Sequence, residues 1–287
     1  MQKIKSLFIL LFVAVSSGNI YAQQDSTGLP GDNFSLQGAL ELFKQSSSPE
    51  AFEKLLNTQD KNVNNLDLNG DGETDYIKVI NKKDGDAHIF ILQVPVSETE
   101  SQDIAVIELE KTGDTTAVIQ ITGDEDIFGE QKIVEPSDEG DEAFIYNNSD
   151  ETASGPSVSN RYAVRIVVNV FYWPSVRFVF RPAYVPWVSP FRWRHYPNWW
   201  RPWHPVTWRV FRPGCYRYHT HFAIVRTHRV TTAHRIYKPY RTSSTIVRTR
   251  TTVARKNYRV TRTKVTGPAG NTRVKTTVHK RGKGRRG

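Results

Sequence analysis

Four oxygen-bearing side chains with a regular spacing mark one short segment of this 287-residue chain, residues 67–77. They stand at relative positions 1, 3, 5 and 9 of that segment, which are Asp67, Asn69, Asp71 and Asp75. Gly72, at position 6, permits the sharp turn that such a loop needs. A hard cation such as Ca²⁺ takes about six to eight oxygen ligands, and alternate side chains of a curling loop can supply several of them. The spacing therefore predicts a calcium-type site.

The segment resembles the calcium loops of EF-hands and dockerins, and it is more closely similar to the strand-flanked Asp/Asn-Gly-Asp-Gly loops of FG-GAP repeats. The resemblance covers about a dozen residues. It implies Ca²⁺ as a cofactor, held by four side chains and one backbone carbonyl. The implied ligands are the side chains of Asp67, Asn69, Asp71 and Asp75 and the backbone carbonyl of Glu73.

The loop departs from the EF-hand pattern at position 12, where a bidentate Glu is required and Lys78 stands instead. The residues from Tyr76 to Ile80 indicate a strand rather than an exiting helix, so we expect a structural brace and not a paired sensor. Further ligands would come from water or from a neighbouring side chain, Asp60, Asn64 or Asn65. The alternative is a turn rich in Asn, Gly and Asp that holds no ion.

A second, weaker metal pattern lies around the single cysteine. Cys215, His219 and His221 are residue types that bind zinc or copper, and a His-x-His pair on a strand points one way. No acidic residue follows Asn160, so no carboxylate from residues 161–287 can orient these ligands. The alternatives are scattered surface histidines and a disulfide between two chains through Cys215.

Residues 173–209, here called the Trp/Arg segment, hold all seven tryptophans of the chain, interleaved with Arg and Pro. Dense prolines disfavour helices and long strands, so we expect extended backbone with turns. Indole rings and guanidinium groups side by side suit membrane headgroups, sugars and phosphates. The candidate residues for binding a polyanion or a membrane are Arg177, Arg181, Trp187, Arg192, Trp193, Arg194, Trp199, Trp200, Arg201, Trp203, Trp208 and Arg209. The alternative is that the aromatic rings form a core with nearby strands or with the acidic domain of residues 23–135.

No catalytic constellation stands out. The half before Arg161 has one His, no Cys, no Gly-rich phosphate loop and no nucleophile elbow. We therefore expect a non-enzymatic protein and interpret the acidic runs as solvated faces. An envelope hydrolase with an unrecognised site stays as an alternative.

The formal charge of +10 hides a complete partition along the chain. All 29 acidic residues precede Arg161, and 29 of the 39 Lys and Arg residues lie from Arg161 onward. The basic half must therefore be neutralised by the acidic half or by an external anion. We call residues 23–160 the acidic half and residues 161–287 the basic half.

The N-terminus has the order of a secretory signal peptide over residues 1–22. Lys3 and Lys5 precede an apolar run from Leu7 to Val15, and cleavage is expected after Ala22. The chain is thus expected to be exported, to the periplasm, the outer membrane surface or the medium, with no transmembrane helix after cleavage. The expected partner is an anionic envelope component, namely lipopolysaccharide, acidic polysaccharide or a membrane surface. Export disfavours nucleic acid, and the chain's own acidic domain is the rival partner.

Hydrophobic periodicity places these sites in an α+β fold. Residues 23–135 are expected to form a small domain with a helical hairpin and an antiparallel β-meander. The helices are indicated by Leu36, Ala39, Leu40 and Phe43 and by the start signal Ser48-Pro49-Glu50, and the strands run over residues 76–80, 87–94, 104–110 and 117–122. The strand over 87–94 is expected to lie centrally, with His88 as an edge or turn residue.

The rest of the chain is expected to be largely irregular. Residues 136–160 are an acidic flexible linker, and 161–240 contain short strands, the second at 176–180. Residues 241–287 are a low-complexity tail rich in Thr, Arg and Lys. Alternating Thr, Val and basic residues over 246–253, 258–265 and 272–278 predict weak β-hairpins, with a turn at 267–271.

Overall fold

The computed structural model describes residues 26–137, 143–145, 166–266 and 272–280. The expected signal peptide, nearly all of the expected linker and the final basic residues lie outside this range. The protein has the α+β architecture predicted from the sequence, with two N-terminal helices and an antiparallel sheet.

The helical hairpin forms where local signals place it. Helix α1 spans Leu36–Gln45 and begins at Ser35, whose hydroxyl accepts a hydrogen bond from the backbone N–H of Gly38. Helix α2 spans Pro49–Leu56 and is capped in the same way by Ser48. Each cap satisfies one N–H group that the first helical turn leaves unpaired.

The acidic half supplies the first five of the six strands of the main sheet. They are β1 (Lys78–Asp84), β2 (Ala87–Pro95), β3 (Ser101–Gly113), β4 (Thr116–Gly123) and β5 (Lys132–Pro136), paired antiparallel in chain order. The predicted meander is confirmed, and β2 lies inside the sheet as expected. His88 is not an edge or turn residue, because it lies buried on β2 and pairs with Leu109 of β3.

The basic half covers both outer edges of this five-stranded meander. Strand β8 (Phe222–Val225) pairs antiparallel with β5 and becomes the sixth strand. At the opposite edge, the backbone N–H of Asn81 donates to Trp187 and that of Ser189 donates to Val79, at 2.7 and 3.0 Å. The Trp/Arg segment thus follows β1 without forming a regular strand.

The remaining elements range from three to 13 residues in length. They are α3 (Glu125–Phe128), β6 (Ala143–Ile145) paired with β7 (Ile166–Val168), α4 (Pro174–Val179), α5 (Trp208–Cys215), α6 (Thr231–Tyr237), α7 (Thr245–Asn257) and the hairpin of β9 (Tyr258–Thr266) with β10 (Thr272–Lys280). The pairing of β9 with β10 confirms the predicted C-terminal hairpin. Residues 180–207 contain turns, extended backbone and isolated bridges, as the prolines indicated.

Two predicted strands are helices. Residues 174–179 begin with Pro174 in the first turn, and Val176 and Val179 are buried three residues apart, which fits one helical face. Residues 245–257 form α7, whose N-terminus is capped by the hydroxyl of Ser244; within the helix, the hydroxyl of Thr251 bonds back to the carbonyl of Val247. The cap and the burial of Val247 outweigh the β preference of Thr and Val.

The sheet separates two apolar clusters. On β2, Phe90, Leu92 and Val94 face α1 and α2, while Ala87, Ile89 and Ile91 face the other side, as the two-residue period of a strand requires. The second cluster is closed by Val230, Ala233 and Tyr237, which lie on or next to α6. The first also contains basic-half residues, among them Trp173, Val176 and Val247, so the two halves share their cores.

Candidate functional site

A buried carboxylate lies under α6 on the second face of the sheet. On β3, Ile107 and Leu109 belong to the first core, so Glu108 between them points to the opposite face. Its side chain has no solvent exposure, and Gln120, its cross-strand neighbour on β4, is also buried. A buried carboxylate needs polar partners to compensate for lost hydration, and here two of them come from the basic half.

Two histidines contact the two oxygens of Glu108. His228 Nε2 lies 2.5 Å from Oε2, and His234 Nδ1 lies 2.8 Å from Oε1. The imidazole ring centres are 4.0 Å apart, and the hydroxyl of Thr122 also donates to Oε2 at 3.1 Å. Within the described residues, this is the one group of at least three His, Cys, Asp or Glu side chains whose ligand atoms all lie within 4.8 Å of one another.

The neighbouring residues fix both histidines in place. The backbone N–H of Arg229 donates to Gln120 Oε1 at 2.7 Å, and its guanidinium contacts both oxygens of Glu135 at 2.8 and 3.0 Å. The backbone N–H of Ala233 donates to Glu110 at 2.7 Å. Main-chain anchors therefore lie directly after His228 and directly before His234.

The charges within the cluster oppose the effect of burial. Desolvation alone would raise the pKa of Glu108, but the hydrogen bonds and charges of His228 and His234 outweigh it and hold that pKa below its usual value. The carboxylate is therefore stabilised in its ionised form, with two imidazoles as its direct partners. Two imidazoles and one carboxylate form a ligand set that proteins use for zinc.

The predicted calcium loop satisfies its own backbone. The carboxylate of Asp67 accepts from the N–H groups of Gly70 and Gly72, and that of Asp71 accepts from Glu73 at 2.9 Å. Asp75 accepts from Leu68 instead. The loop carboxylates do not form a cluster within the 4.8 Å spacing of the Glu108 group. Binding an ion would require the loop side chains to converge.

Parts of the basic half cover this loop. Arg250 donates to the backbone carbonyl of Asn69, and a ring nitrogen of His204 lies 2.9 Å from the carbonyl of Gly72. Asp75 is buried, and burial together with the charges of Asp67 and Asp71 raises its pKa to about 8. Arg250 partly offsets that effect, so a cation from the protein itself already acts on the loop.

Two of the three side chains that could have completed the loop site have other partners. Asn64 donates to the backbone carbonyl of Asp75, and the side-chain amide of Asn65 bonds to both the N–H and the carbonyl of Val206. Asp60 is exposed, and its backbone carbonyl accepts from Arg217. The amides of Asn64 and Asn65 are therefore committed to backbone groups.

Cys215, His219 and His221 do not meet as a metal site. Cys215 is buried at the end of α5, its thiol donates to the carbonyl of Asn62, and burial raises its pKa to about 11. His219 and His221 are both exposed. A thiol that stays protonated is a poor metal ligand.

The Trp/Arg segment is divided between core and surface. Trp200 is only 5% exposed and packs against Tyr76, and Trp187 borders the first core, whereas Trp199 is 45% exposed. Trp193, Trp203 and Trp208 are half-buried. All six candidate arginines are exposed: Arg177, Arg181, Arg192, Arg194, Arg201 and Arg209.

Two arginines further along the chain, Arg241 and Arg255, are paired with carboxylates of the acidic half. Arg241 contacts Asp124 and Asp126, Arg255 contacts Asp126 at 2.7 Å, and Ser244 donates to Glu100. Asp103 is buried and accepts from Tyr237 Oη and from the N–H of Thr242. We call this row of contacts the acid–base seam.

Sequence reasoning missed the Glu108 cluster. Glu108 alternates with Ile107 and Leu109 as a solvent-facing residue of an amphipathic strand would, and its ligands lie about 120 residues away. The interpretation of the acidic runs as solvated faces is wrong for Glu108, Asp103 and Asp124, which are buried. The sequence offered one signal for such a cluster: the histidines of the basic half have no acidic residue in their own half, so any carboxylate partner must come from the acidic half.

Within the described residues, no helix is both long enough and apolar enough to cross a bilayer. No protein-family model, curated protein or solved structure matches the chain.

Proposed function

We propose that this chain is a non-enzymatic protein exported to the bacterial envelope, where its Trp/Arg segment binds an anionic surface. One observation carries the proposal: the six arginines of that segment are exposed, and within the described residues none of them pairs with a carboxylate. Arg229, Arg241 and Arg255, by contrast, are bound to acids of the acidic half. These six arginines are therefore available to an external anion.

The segment is held rigidly enough to present these groups. The hydroxyl of Ser189 donates to the buried carboxylate of Glu53 at 2.9 Å, and Glu53 also accepts from Tyr76 and from the backbone of Val79. Trp200 fills a site beside Tyr76. Anchored indoles with outward guanidinium groups reduce the entropy lost on binding.

Aromatic rings also orient some of the cations. The guanidinium of Arg181 lies 3.7 Å from the ring centre of Phe178, and that of Arg194 lies 5.6 Å from the ring of Trp193. A guanidinium stacked on a ring keeps its N–H edges available for phosphate or carboxylate. This arrangement suits phosphorylated lipopolysaccharide, acidic polysaccharide and anionic membrane alike.

Binding of lipopolysaccharide to the chain from residue 23 onward, titrated with salt, tests the proposal. Replacing Arg192, Arg194 and Arg201 by Gln should weaken binding at least about tenfold and flatten its salt dependence, because fewer counterions are displaced. A matched variant with Lys83, Arg235 and Arg248 changed to Gln removes the same charge elsewhere on the exposed surface. Equal losses in both variants would show that net charge, and not this face, controls binding.

The rival function, self-association through the basic half, is favoured by the acid–base seam. In that case the contacts of Arg241 and Arg255 would form between chains in an assembly, and high salt would release monomers. Sedimentation at low and high salt separates the two functions, since surface binding by a monomer predicts no change in mass.

The same proposal includes Ca²⁺ at residues 67–75 as a brace. The buried carboxylate of Asp75, with Asp67 and Asp71 close enough to raise its pKa, is a charge cluster that a divalent cation would relieve. The ligands would be the side chains of Asp67, Asn69, Asp71 and Asp75 and the carbonyl of Glu73. Thermal unfolding in Ca²⁺ against chelator should show a higher Tm with calcium, and Asp71→Ala should abolish that difference, whereas Asp60→Ala should retain it. An equal Tm in calcium and chelator would show that calcium does not stabilise this loop.

A further inference from the structure

We propose that Glu108, His228 and His234 bind one divalent transition-metal ion of the zinc class, and that this ion fastens the basic half to the sheet. The site lies on the face of the sheet opposite α1 and α2, away from the calcium-type loop. Its ligands come from β3, from the loop after β8 and from α6.

The donor set selects this class of ion. Imidazole nitrogens and a carboxylate oxygen suit zinc and its neighbours in the first transition row, whereas calcium and magnesium prefer oxygen alone. The three ligand atoms lie within 4.8 Å of one another, and His228 and His234 would exchange their hydrogen bonds to Glu108 for bonds to a single small ion. Three protein ligands leave at least one coordination position for water.

Among the described residues, no Lys or Arg forms an ion pair with Glu108. The guanidinium of Arg229 is directed to Glu135 through Nε and Nη2. Glu110 lies two residues along the same strand and adds negative charge. The direct partners of Glu108 are thus two imidazoles and the Thr122 hydroxyl, and a divalent ion would neutralise the excess charge.

The site is open to entry from solvent. The side chains of His228 and His234 are 18% and 17% exposed, while that of Glu108 is fully buried beneath them. An ion can therefore reach both imidazoles without unfolding the protein. The supporting contacts of Arg229 and Ala233 with Gln120 and Glu110 keep the ligand-bearing backbone in position before an ion arrives.

Binding at this place would have a mechanical effect. The ion would link β3 of the acidic half to two histidines that lie 120 and 126 residues further along the chain. His228 follows the sixth strand, β8, by three residues, so the link would secure the strand that closes one edge of the sheet. The competing explanation is that a proton alone bridges Glu108 and the imidazoles.

Cobalt provides the direct test, because Co²⁺ at a zinc site gives visible d–d absorption and Zn²⁺ displaces it. Tag-free protein from residue 23 onward should bind about one Co²⁺ per chain with such bands, and Zn²⁺ should remove them. The variant His228→Gln/His234→Gln should lose them. The double variant changes only partly exposed side chains, and far-UV circular dichroism verifies that it folds. Glu108→Gln, verified in the same way, is a second variant that should also lose the bands.

The matched control is His219→Gln/His221→Gln, which removes two exposed imidazoles beside Cys215. It should bind Co²⁺ as the parent chain does. Absence of the d–d bands in the parent, their survival in the His228/His234 variant or their loss in the control would each overturn the site.

Hydrogen exchange tests the fastening. Zn²⁺ should slow amide exchange in residues 222–237 of the parent at least about tenfold, because opening of this region would have to release the ion. The His228/His234 variant should show no zinc effect. Equal exchange with and without Zn²⁺ in the parent would overturn the role in holding the basic half. A proton bridge would appear instead as a protection factor that depends on pH but not on metal.

Discussion

Arg250 of α7 donates a hydrogen bond to the backbone carbonyl of Asn69, so the last helix places a guanidinium over the acidic loop of the first half. The contact is close enough that a side chain at Gly70 would collide with that guanidinium. The loop predicted to hold calcium is therefore under the influence of a cation that the sequence pattern placed in a weak β-hairpin of the low-complexity tail.

The first prediction concerns this competition. Arg250→Gln should strengthen Ca²⁺ binding by about two- to fivefold, since an exposed charge pair contributes roughly 0.5–1 kcal/mol. Calorimetric titration at low salt measures it. Arg248→Gln removes an exposed guanidinium from the same helix and should leave the affinity nearly unchanged. Weaker calcium binding in Arg250→Gln would mean that Arg250 organises the loop instead of competing for it.

The second prediction concerns pH. The pKa of Asp75 rises from an ordinary value of 3.8 to about 8 in the folded state, mainly because the carboxyl is buried. The folded protein therefore holds this proton more tightly than the unfolded chain, so the contribution of Asp75 to the free energy of unfolding is greatest at low pH. It falls as pH rises from about 4 to about 8 and is constant above that range.

Asp75→Asn should remove this dependence, because the amide stays neutral and can still accept from Leu68. Urea unfolding in chelator should show that the variant gains at least about 1 kcal/mol on the parent between pH 5 and pH 8. Asp60→Asn, at an exposed site, serves as the control. If the difference in free energy of unfolding between parent and variant does not change from pH 5 to pH 8, the raised pKa of Asp75 is contradicted.

The third prediction tests the acid–base seam. Arg241 contacts Asp124 at 2.6 and 3.1 Å and Asp126 at 3.1 Å, and the Asp124 side chain is 2% exposed. Arg241→Gln should lower the free energy of unfolding by about 2 kcal/mol, because a buried carboxylate loses its bidentate partner. Urea denaturation measures the change. Arg235→Gln, which removes an exposed guanidinium on α6, should lower the free energy of unfolding by less than about 0.5 kcal/mol. An equally small loss for Arg241→Gln would show that the seam does not stabilise the fold.

The fourth prediction separates the two roles of tryptophan in adjacent positions. Trp200→Ala should cost about 3 kcal/mol of stability, since a buried ring leaves a cavity beside Tyr76. Trp199→Ala should cost less than about 1 kcal/mol but should weaken binding to lipopolysaccharide, because Trp199 is exposed. Thermal unfolding and binding assays on the same pair provide the comparison. Comparable stability losses in the two variants would contradict the division between anchor and surface.

Local signals were enough for the first half of the fold. Ser35 and Ser48 cap helices by accepting from backbone N–H groups three residues further along the chain, and the meander follows the apolar runs. Local signals were not enough where contacts between distant residues determine the structure. Thr251 lies in a β-like sequence but belongs to helix α7. The N-terminus of that helix is fixed by Ser244, whose hydroxyl donates to Glu100 in the loop between β2 and β3.

The sites show the same limit. The oxygen spacing from Asp67 to Asp75 is visible in sequence, but the position of Arg250 above it is not. Glu108 and its two histidines could not be assembled from sequence, since the charge partition shows that the halves attract each other without showing which acid meets which base. The exposed arginines of 177–209 were recognised by type, while their separation from buried indoles needed the fold.

Both outer strands of the acidic meander are completed by later parts of the chain, β1 by residues 187–189 and β5 by β8. A chain that emerges from a membrane channel with its N-terminus first would present these two open edges before their covers exist. Open edges are where sheets of different molecules join. The acidic half is therefore vulnerable to polymerisation until the basic half arrives, and any cleavage that frees residues 166–257 would restore that vulnerability in the mature protein.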